Sequence, residues 1–269
     1  MTRERVTAIS GRPMRWLDAG LAESPHVLVW LHAFPLSAEM WRPQLERPPD
    51  GWRVIAPDLA GFGGSADHVG QPGIDDFAQD LDELIDAAGI RNFVLGGLSM
   101  GGYAAFAYLR HKPARVRGIV LADTKSGADT PAARDGRQKM LDLVAARGVA
   151  GVADEMVPKL LGGSTQRANK DLVLRVRRLI EANTADGVSR AIQRLRDRPD
   201  SSPMLPRLTV PALIVVGEED GITPVADARA MANAIADATL TIVSRAGHLT
   251  NLENADAFDA ALKSWLATI

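Results

Sequence analysis

With 269 residues, the chain can form one large α/β domain or two small ones, and a hydrophobic content of 46% supplies an ordinary globular core. Basic and acidic residues nearly cancel, 31 against 33, leaving a net charge of −2. That balance makes no electrostatic case for nucleic acid or an anionic membrane surface, and the absence of cysteine excludes disulfides, thiol catalysis and thiolate metal sites.

Met1 to Thr7 carries charge with no apolar run behind it, so no signal peptide is expected. Arg5 to Asp18 shows alternating patches broken by Gly11-Arg12-Pro13, the pattern of an opening hairpin. Val27 to His32 is a continuous apolar run ending in histidine, which reads as a strand covered on both faces. Its core, Val27 to Leu31, is far too short to span a bilayer. A soluble, cytoplasmic protein is the expectation. A helix-like stretch around Met40 to Leu45 follows, then a short strand at Arg53 to Pro57 and the turn-rich Asp58-Leu59-Ala60-Gly61-Phe62-Gly63-Gly64-Ser65. Ile74 to Ala88 places Phe77, Leu81, Leu84 and Ile85 at helical spacing, with Gly89 as a stop.

Phe93 to Leu98 reads as a buried strand and Met100 onward as a helix, with Ser99 at the join. Gly97 and Gly101 flank that serine in the G-x-S-x-G pattern of a nucleophile elbow. A strand turning at once into a helix strains the corner residue and brings neighbouring chain so close that a Cβ on either flank would collide. The spacing from Gly96 to Gly101 is also half of a phosphate loop, but Tyr103 stands where that loop needs a lysine. Gly118 to Asp123 is a further buried strand.

The alternation of strand and helix then stops. Residues 127–200 hold helical patterns at Pro131 to Ala146, Val152 to Leu161, Asp171 to Ala182 and Gly187 to Arg196, with no convincing strand among them. Arginines are frequent there, at 175, 177, 178, 190, 194, 196 and 198, but interspersed acids make solvated helix faces the reading. Pro199-Asp200-Ser201-Ser202-Pro203 serves as a linker back. Strand and helix resume at Ala212 to Gly217, Ala226 to Ala236, Leu240 to Val243 and Asn254 to Leu266. The simplest account is a mostly parallel sheet flanked by helices, an α/β core formed by 1–126 and 201–269 with a helical cap at 127–200 inserted after about the sixth strand.

A serine hydroxyl needs a base to take its proton. The candidates are His26, His32, His68, His111 and His248, and none has metal-ligand spacing with another, so no metal site is expected. His248, in the loop leaving the last strand, shares with Ser99 the carboxyl edge of the sheet where ligand sites form. The carboxylate that orients it belongs at another strand end. Gly217-Glu218-Glu219-Asp220 lies there, between serine and histidine in chain order, and Asp220 is preferred as the residue beside the turn. Asp123 is its rival, and helix capping is the plainer role for Asp220.

These segments together resemble the α/β-hydrolase family over nearly the whole chain. The likeness is carried by His32-Ala33-Phe34-Pro35, Asp58 to Ser65, Gly97-Leu98-Ser99-Met100-Gly101-Gly102, Gly217 to Asp220 and Gly247-His248. The resemblance implies Ser99 as nucleophile, His248 as base, Asp220 as acid, an oxyanion hole from the N–H groups of Phe34 and Met100, and a cap at 127–200. One departure stands out: Ala33 occupies a position where the family usually has glycine, which puts the Phe34 donor in question before the Met100 donor.

Serine at the elbow argues against the dehalogenase and epoxide-hydrolase branches, which work through an aspartyl ester. Leu36, Trp41 and Tyr103, near the elbow or oxyanion loop, are candidates to line an apolar acyl pocket, with ordinary core as the alternative. The expected reaction is cofactor-free cleavage of small to medium apolar carboxylic esters. The elbow is also similar to enol-lactone hydrolases of aromatic degradation (3-oxoadipate enol-lactonase-like), so lactonase is the close rival and perhydrolysis a side reaction. A non-catalytic ligand-binding protein of the same fold is the reading from another class. The partner is a small-molecule ester or lactone, and a homo-oligomer is left open.

Overall fold

The computed structural model describes residues 1–269. The chain opens with β1 (Arg3–Ile9) and β2 (Arg12–Gly20), an antiparallel hairpin, followed by β3 (His26–Leu31). A 3-10 turn at Ala38–Trp41 leads into the short helix α1 (Arg42–Glu46), then β4 (Trp52–Pro57) and α2 (Ile74–Ala87). Helix α2 buries Phe77, Leu81, Leu84 and Ile85, the residues whose spacing predicts it, and stops before Gly89 at φ +69°. Strand β5 (Phe93–Leu98) runs into α3 (Met100–His111), and β6 (Val116–Ala122) follows.

Four helices come next: α4 (Pro131–Leu160), α5 (Gly163–Ala168), α6 (Lys170–Glu181) and α7 (Ala185–Asp197). The fold then returns to β7 (Ala212–Gly217), α8 (Val225–Ala234), β8 (Ala238–Val243), α9 (Thr250–Glu253) and α10 (Ala255–Leu266). All eight strands form one sheet in the order β1-β2-β4-β3-β5-β6-β7-β8, antiparallel only where β2 meets its neighbours. No helix is long and apolar enough to cross a membrane.

The separate helices expected to end at Ala146 and start at Val152 are both present within α4, which breaks direction at Gly148, where φ is 62° and ψ −163°. The glycine makes a kink between two helical stretches. The expected linker holds only for Pro199 to Ser201, since a 3-10 turn occupies Ser202–Arg207. Polar caps hold the inserted helices: Thr130 accepts from Ala133 N at 3.2 Å, Asn169 from Leu172 N at 3.0 Å and Thr184 from Gly187 N at 3.1 Å.

The register fixes the site. Leu31 pairs with Gly97 and Leu98 with Ala122, while Ser99 N donates to Ala122 O at 3.0 Å and Asp123 N to Val215 O at 2.8 Å. The ends of β3, β5, β6 and β7 are thus drawn level along one edge. Beneath them, Trp30 stacks on Trp41 with centroids 4.3 Å apart, and Phe258 leans on both. A stacked pair of this kind adds about 0.5–1.5 kcal/mol to the area it buries.

Candidate active site

The elbow forms for the reason its glycines suggest. Ser99 sits at φ 54° and ψ −112°, a strained conformation for a residue with a side chain. A Cβ on Gly97 would run into the carbonyl of Gly101, and one on Gly101 into the carbonyl of Leu31. The strand and helix packed against the elbow leave the corner no other shape. Met100 is the first residue of α3, so its N–H is among those with no partner inside the helix.

Ser99 Oγ lies 2.8 Å from His248 Nε2, and His248 Nδ1 lies 2.8 Å from Asp220 Oδ2. An ionised carboxylate only accepts, which assigns the imidazole proton to Nδ1 and leaves Nε2 free to receive the serine hydrogen. The row is nearly closed to solvent, with Ser99 at 8% exposure and His248 at 1%. Asp220 faces the imidazole and also braces its own loop, but it does not cap α8, whose N-cap is Pro224. Its Oδ1 accepts from Ile222 N at 2.8 Å and Thr223 N at 3.0 Å, closing the turn before α8, while its Oδ2 takes Thr223 Oγ1 at 2.7 Å beside the imidazole. Neighbouring acids are used elsewhere: Glu218 is exposed, and Glu219 accepts from Ser164 N at 2.8 Å.

Asp123 does not bond to the imidazole. Its Oδ1 accepts from Gly217 N at 2.9 Å and its Oδ2 from Thr250 N at 3.1 Å and Thr250 Oγ1 at 2.6 Å, so it braces the loops that carry Asp220 and His248. Burial, and then the charge of Asp220, push its carboxyl up to about 7. For Asp220 burial pulls the same way, but the charge and hydrogen bond of His248 outweigh it and hold the carboxyl below its ordinary range. Burial opposes a charge on His248; Asp220, with help from Asp123 and Glu253, outweighs it and raises the imidazole above its usual value.

The loop after β3 is held on both sides of Phe34. His32, fully buried, approaches Ala33 O with Nδ1 at 3.0 Å and accepts Leu59 N on Nε2 at 2.9 Å, which fixes its tautomer. Burial lowers its pKa, so it stays neutral. Ala33 N points at Met40 Sδ at 3.2 Å, and Leu36 N donates to Ala33 O at 2.9 Å. Ala33 is not in the left-handed region, so alanine fits here without backbone strain. On the far side, Asn183 at the end of α6 donates from Nδ2 to Pro35 O at 2.9 Å and accepts Gly63 N on Oδ1 at 3.0 Å.

The three residues offered as pocket lining are all buried. Trp41 is 0% exposed within the Trp30 and Phe258 stack, a core position. Leu36 is likewise wholly buried, in the turn that closes on Ala33. Tyr103 lies beneath Arg198, whose guanidinium carbon stands 4.1 Å from its ring centroid.

Solvated faces account for some of the insertion's arginines, such as Arg177, Arg178 and Arg196, but not for others. Arg194 is fully buried, donating to Asp67 Oδ1 at 2.6 Å over the Phe77 ring, and Arg190 Nε reaches Asp67 Oδ2 at 2.8 Å. Arg198 donates to Asp129 Oδ1 at 2.7 Å. Arg190 and Arg194 thus fasten α7 to the core, while Arg198 ties together the two ends of the insertion. A cavity of about 470 Å³ between His26, Trp52, Phe93 and Arg117 lies at the opposite, amino-terminal edge of the sheet and is unconnected with Ser99.

The sequence profile of the alpha/beta hydrolase fold matches residues 26–255, and the chain belongs to that family. It is 26% identical over 251 residues to 3-oxoadipate enol-lactonase 2 of Acinetobacter baylyi, covering 93% of this chain and 92% of that protein. Among solved structures, a thermophilic esterase from Thermogutta terrifontis superposes with a TM-score of 0.93 at 34% identity, over 99% of this chain and 98% of that one. An enol-lactonase from Burkholderia xenovorans gives a TM-score of 0.89 at 24% identity over 98% and 100%, a likeness of fold.

Proposed function

We propose that this hydrolase cleaves carboxylic esters of small to medium apolar substrates through an acyl-enzyme on Ser99. The observation that carries the reading is the unbroken row from Ser99 Oγ through His248 to Asp220, with 2.8 Å at each step. His248 Nε2 takes the hydroxyl proton as Oγ bonds to the substrate carbonyl carbon. The N–H groups of Met100 and Phe34 are assigned to the resulting oxyanion, each worth roughly 3 kcal/mol of barrier. Collapse of that intermediate breaks the bond to the alcohol oxygen, which leaves with the proton from His248. Water then gives a proton to His248 and attacks the acyl carbon; the acid departs and Ser99 recovers its hydrogen.

Residues 127–200 are assigned as the cap over this site, and the substrate is a small molecule held between cap and elbow. Ester cleavage is preferred because the esterase from Thermogutta terrifontis is the more similar in sequence of the two solved structures described above. Enol-lactone hydrolysis is the second reading, on the likeness to the Acinetobacter baylyi enzyme. It uses the same steps with the leaving oxygen tethered to the acyl group.

Turnover of p-nitrophenyl esters of increasing chain length, set beside saturated lactones and an enol-lactone, separates the two. Labelling by a fluorophosphonate is expected for the native chain and not for Ser99→Ala, which should lose nearly all turnover while staying folded. Substantial activity in that variant would overturn the nucleophile, and an unlabelled native chain would point to a binding protein without chemistry.

A further inference from the structure

We propose that Glu253 is a positioning residue for His248, one carboxylate that clamps the backbone on both sides of the base and ties it to the cap. The inference rests on the assignment of His248 as base. Glu253 closes α9, and its Oε1 accepts from Gly247 N at 2.9 Å and Leu249 N at 3.1 Å, the residues before and after the histidine. Its Oε2 accepts from Gly162 N, at the junction of α4 and α5, at 2.8 Å. Between them, His248 N donates to Leu160 O at 3.1 Å. Three successive N–H groups of the base loop are therefore committed, and the cap is bonded to the same carboxylate.

The chemistry needs a carboxylate. Three N–H donors converge on two oxygens that have no hydrogen to offer in return. Glutamine has one acceptor oxygen, so it can serve either Oε1's pair or Gly162, and its NH2 would face an N–H at the other. A brace for α9 alone would not explain Gly162, which lies 91 residues away in the chain. The charged groups facing the imidazole are Asp220 after β7, Asp123 at the end of β6 and Glu253 on α9; the cap side offers the backbone of Leu160 and Gly162. Glu253 thus acts on the base in two separable ways, through the loop's position and through its charge.

Native enzyme, Glu253→Gln and Glu253→Asp are compared on a p-nitrophenyl ester across pH, together with their melting temperatures. Glu253→Gln should lower kcat about 10- to 100-fold with KM held within about threefold, because a misplaced base costs rate and not binding. Its acid limb should move to lower pH. Glu253→Asp keeps the charge one methylene short, so it should leave the limb in place while kcat still falls. Native kcat and limb in Glu253→Gln would overturn the proposal. So would full recovery of its kcat at an assay temperature lowered by the loss in melting temperature, the mark of a purely structural role. If Glu253→Gln does not fold, a native kcat in Glu253→Asp overturns it. Fluorophosphonate labelling of the native chain tells the failures apart: an unlabelled chain defeats the serine mechanism, whereas a labelled one with an indifferent Glu253 defeats only the clamp.

Discussion

Asp123 takes the Thr250 hydroxyl at 2.6 Å and so stands behind the base loop without bonding to its imidazole. Two buried carboxylates therefore sit near His248, and only Asp220 has the geometry to orient it. Asp220→Asn should cut kcat on the order of 10⁴-fold, since an amide favours the wrong tautomer. Asp123→Asn should cost far less. Steady-state kinetics of the pair check this, and the reverse ranking would move the acid to Asp123.

The same two carboxylates set the pH dependence. His248 must be neutral to act as base, and its pKa is raised, so kcat/KM should climb with pH and reach half its maximum above about 6.5, the value for an unperturbed imidazole. Asp123→Asn removes a charge that favours the imidazolium and should shift the limb to lower pH. A rate constant down to pH 5 in the native enzyme would contradict the assignment.

Asn183 joins the last turn of α6 to the peptide that follows Phe34. Asn183→Ala leaves Pro35 O without its partner in a buried place, while the exposed Gly63 can turn to water, a loss of about 1–3 kcal/mol in stability. Because that peptide borders the assigned oxyanion donor, kcat should fall while KM stays close to native. Chemical denaturation beside ester kinetics measures both; unchanged kcat would free the oxyanion loop from the cap.

Arg194 and Asp67 form a buried ion pair between α7 and the loop that precedes α2. Arg194→Ala leaves Asp67 with Arg190 as its remaining basic partner, so it should cost about 1–3 kcal/mol by thermal or urea unfolding, less than a stranded buried charge would. Burial alone would raise the Asp67 carboxyl, but the hydrogen bond and charge of Arg194 prevail and lower it. A lowered folded pKa gives stability present above the unfolded value, about 3.9, and lost as pH falls toward the folded one. Arg194→Ala should accordingly flatten the loss of stability in acid.

What could be read from the sequence was local. The elbow glycines and the apolar run from Val27 each express a constraint within a few residues; Ser99, Asp220 and His248 each follow a strand, and the fold brings the three together. Direction could not be read. An apolar residue after a strand looks the same whether it meets a substrate or the Trp30 stack, which is why Trp41 and Leu36 were open to either reading. Arg194 spaced among acids resembles a wetted helix because its partner lies 127 residues away. Glu253 lies four and six residues from two of the groups it serves, but the third, Gly162, becomes its neighbour only after α4 to α7 have packed.

The fastenings of α6 and α7 bear on how molecules reach Ser99. Swinging the whole cap aside would sever the Arg194 pair, the Asn183 bridge and the Gly162 link together. Substrates should therefore enter through smaller local movements that leave these fastenings in place, and slender, bendable chains should pass faster than rigid, branched ones of equal polarity.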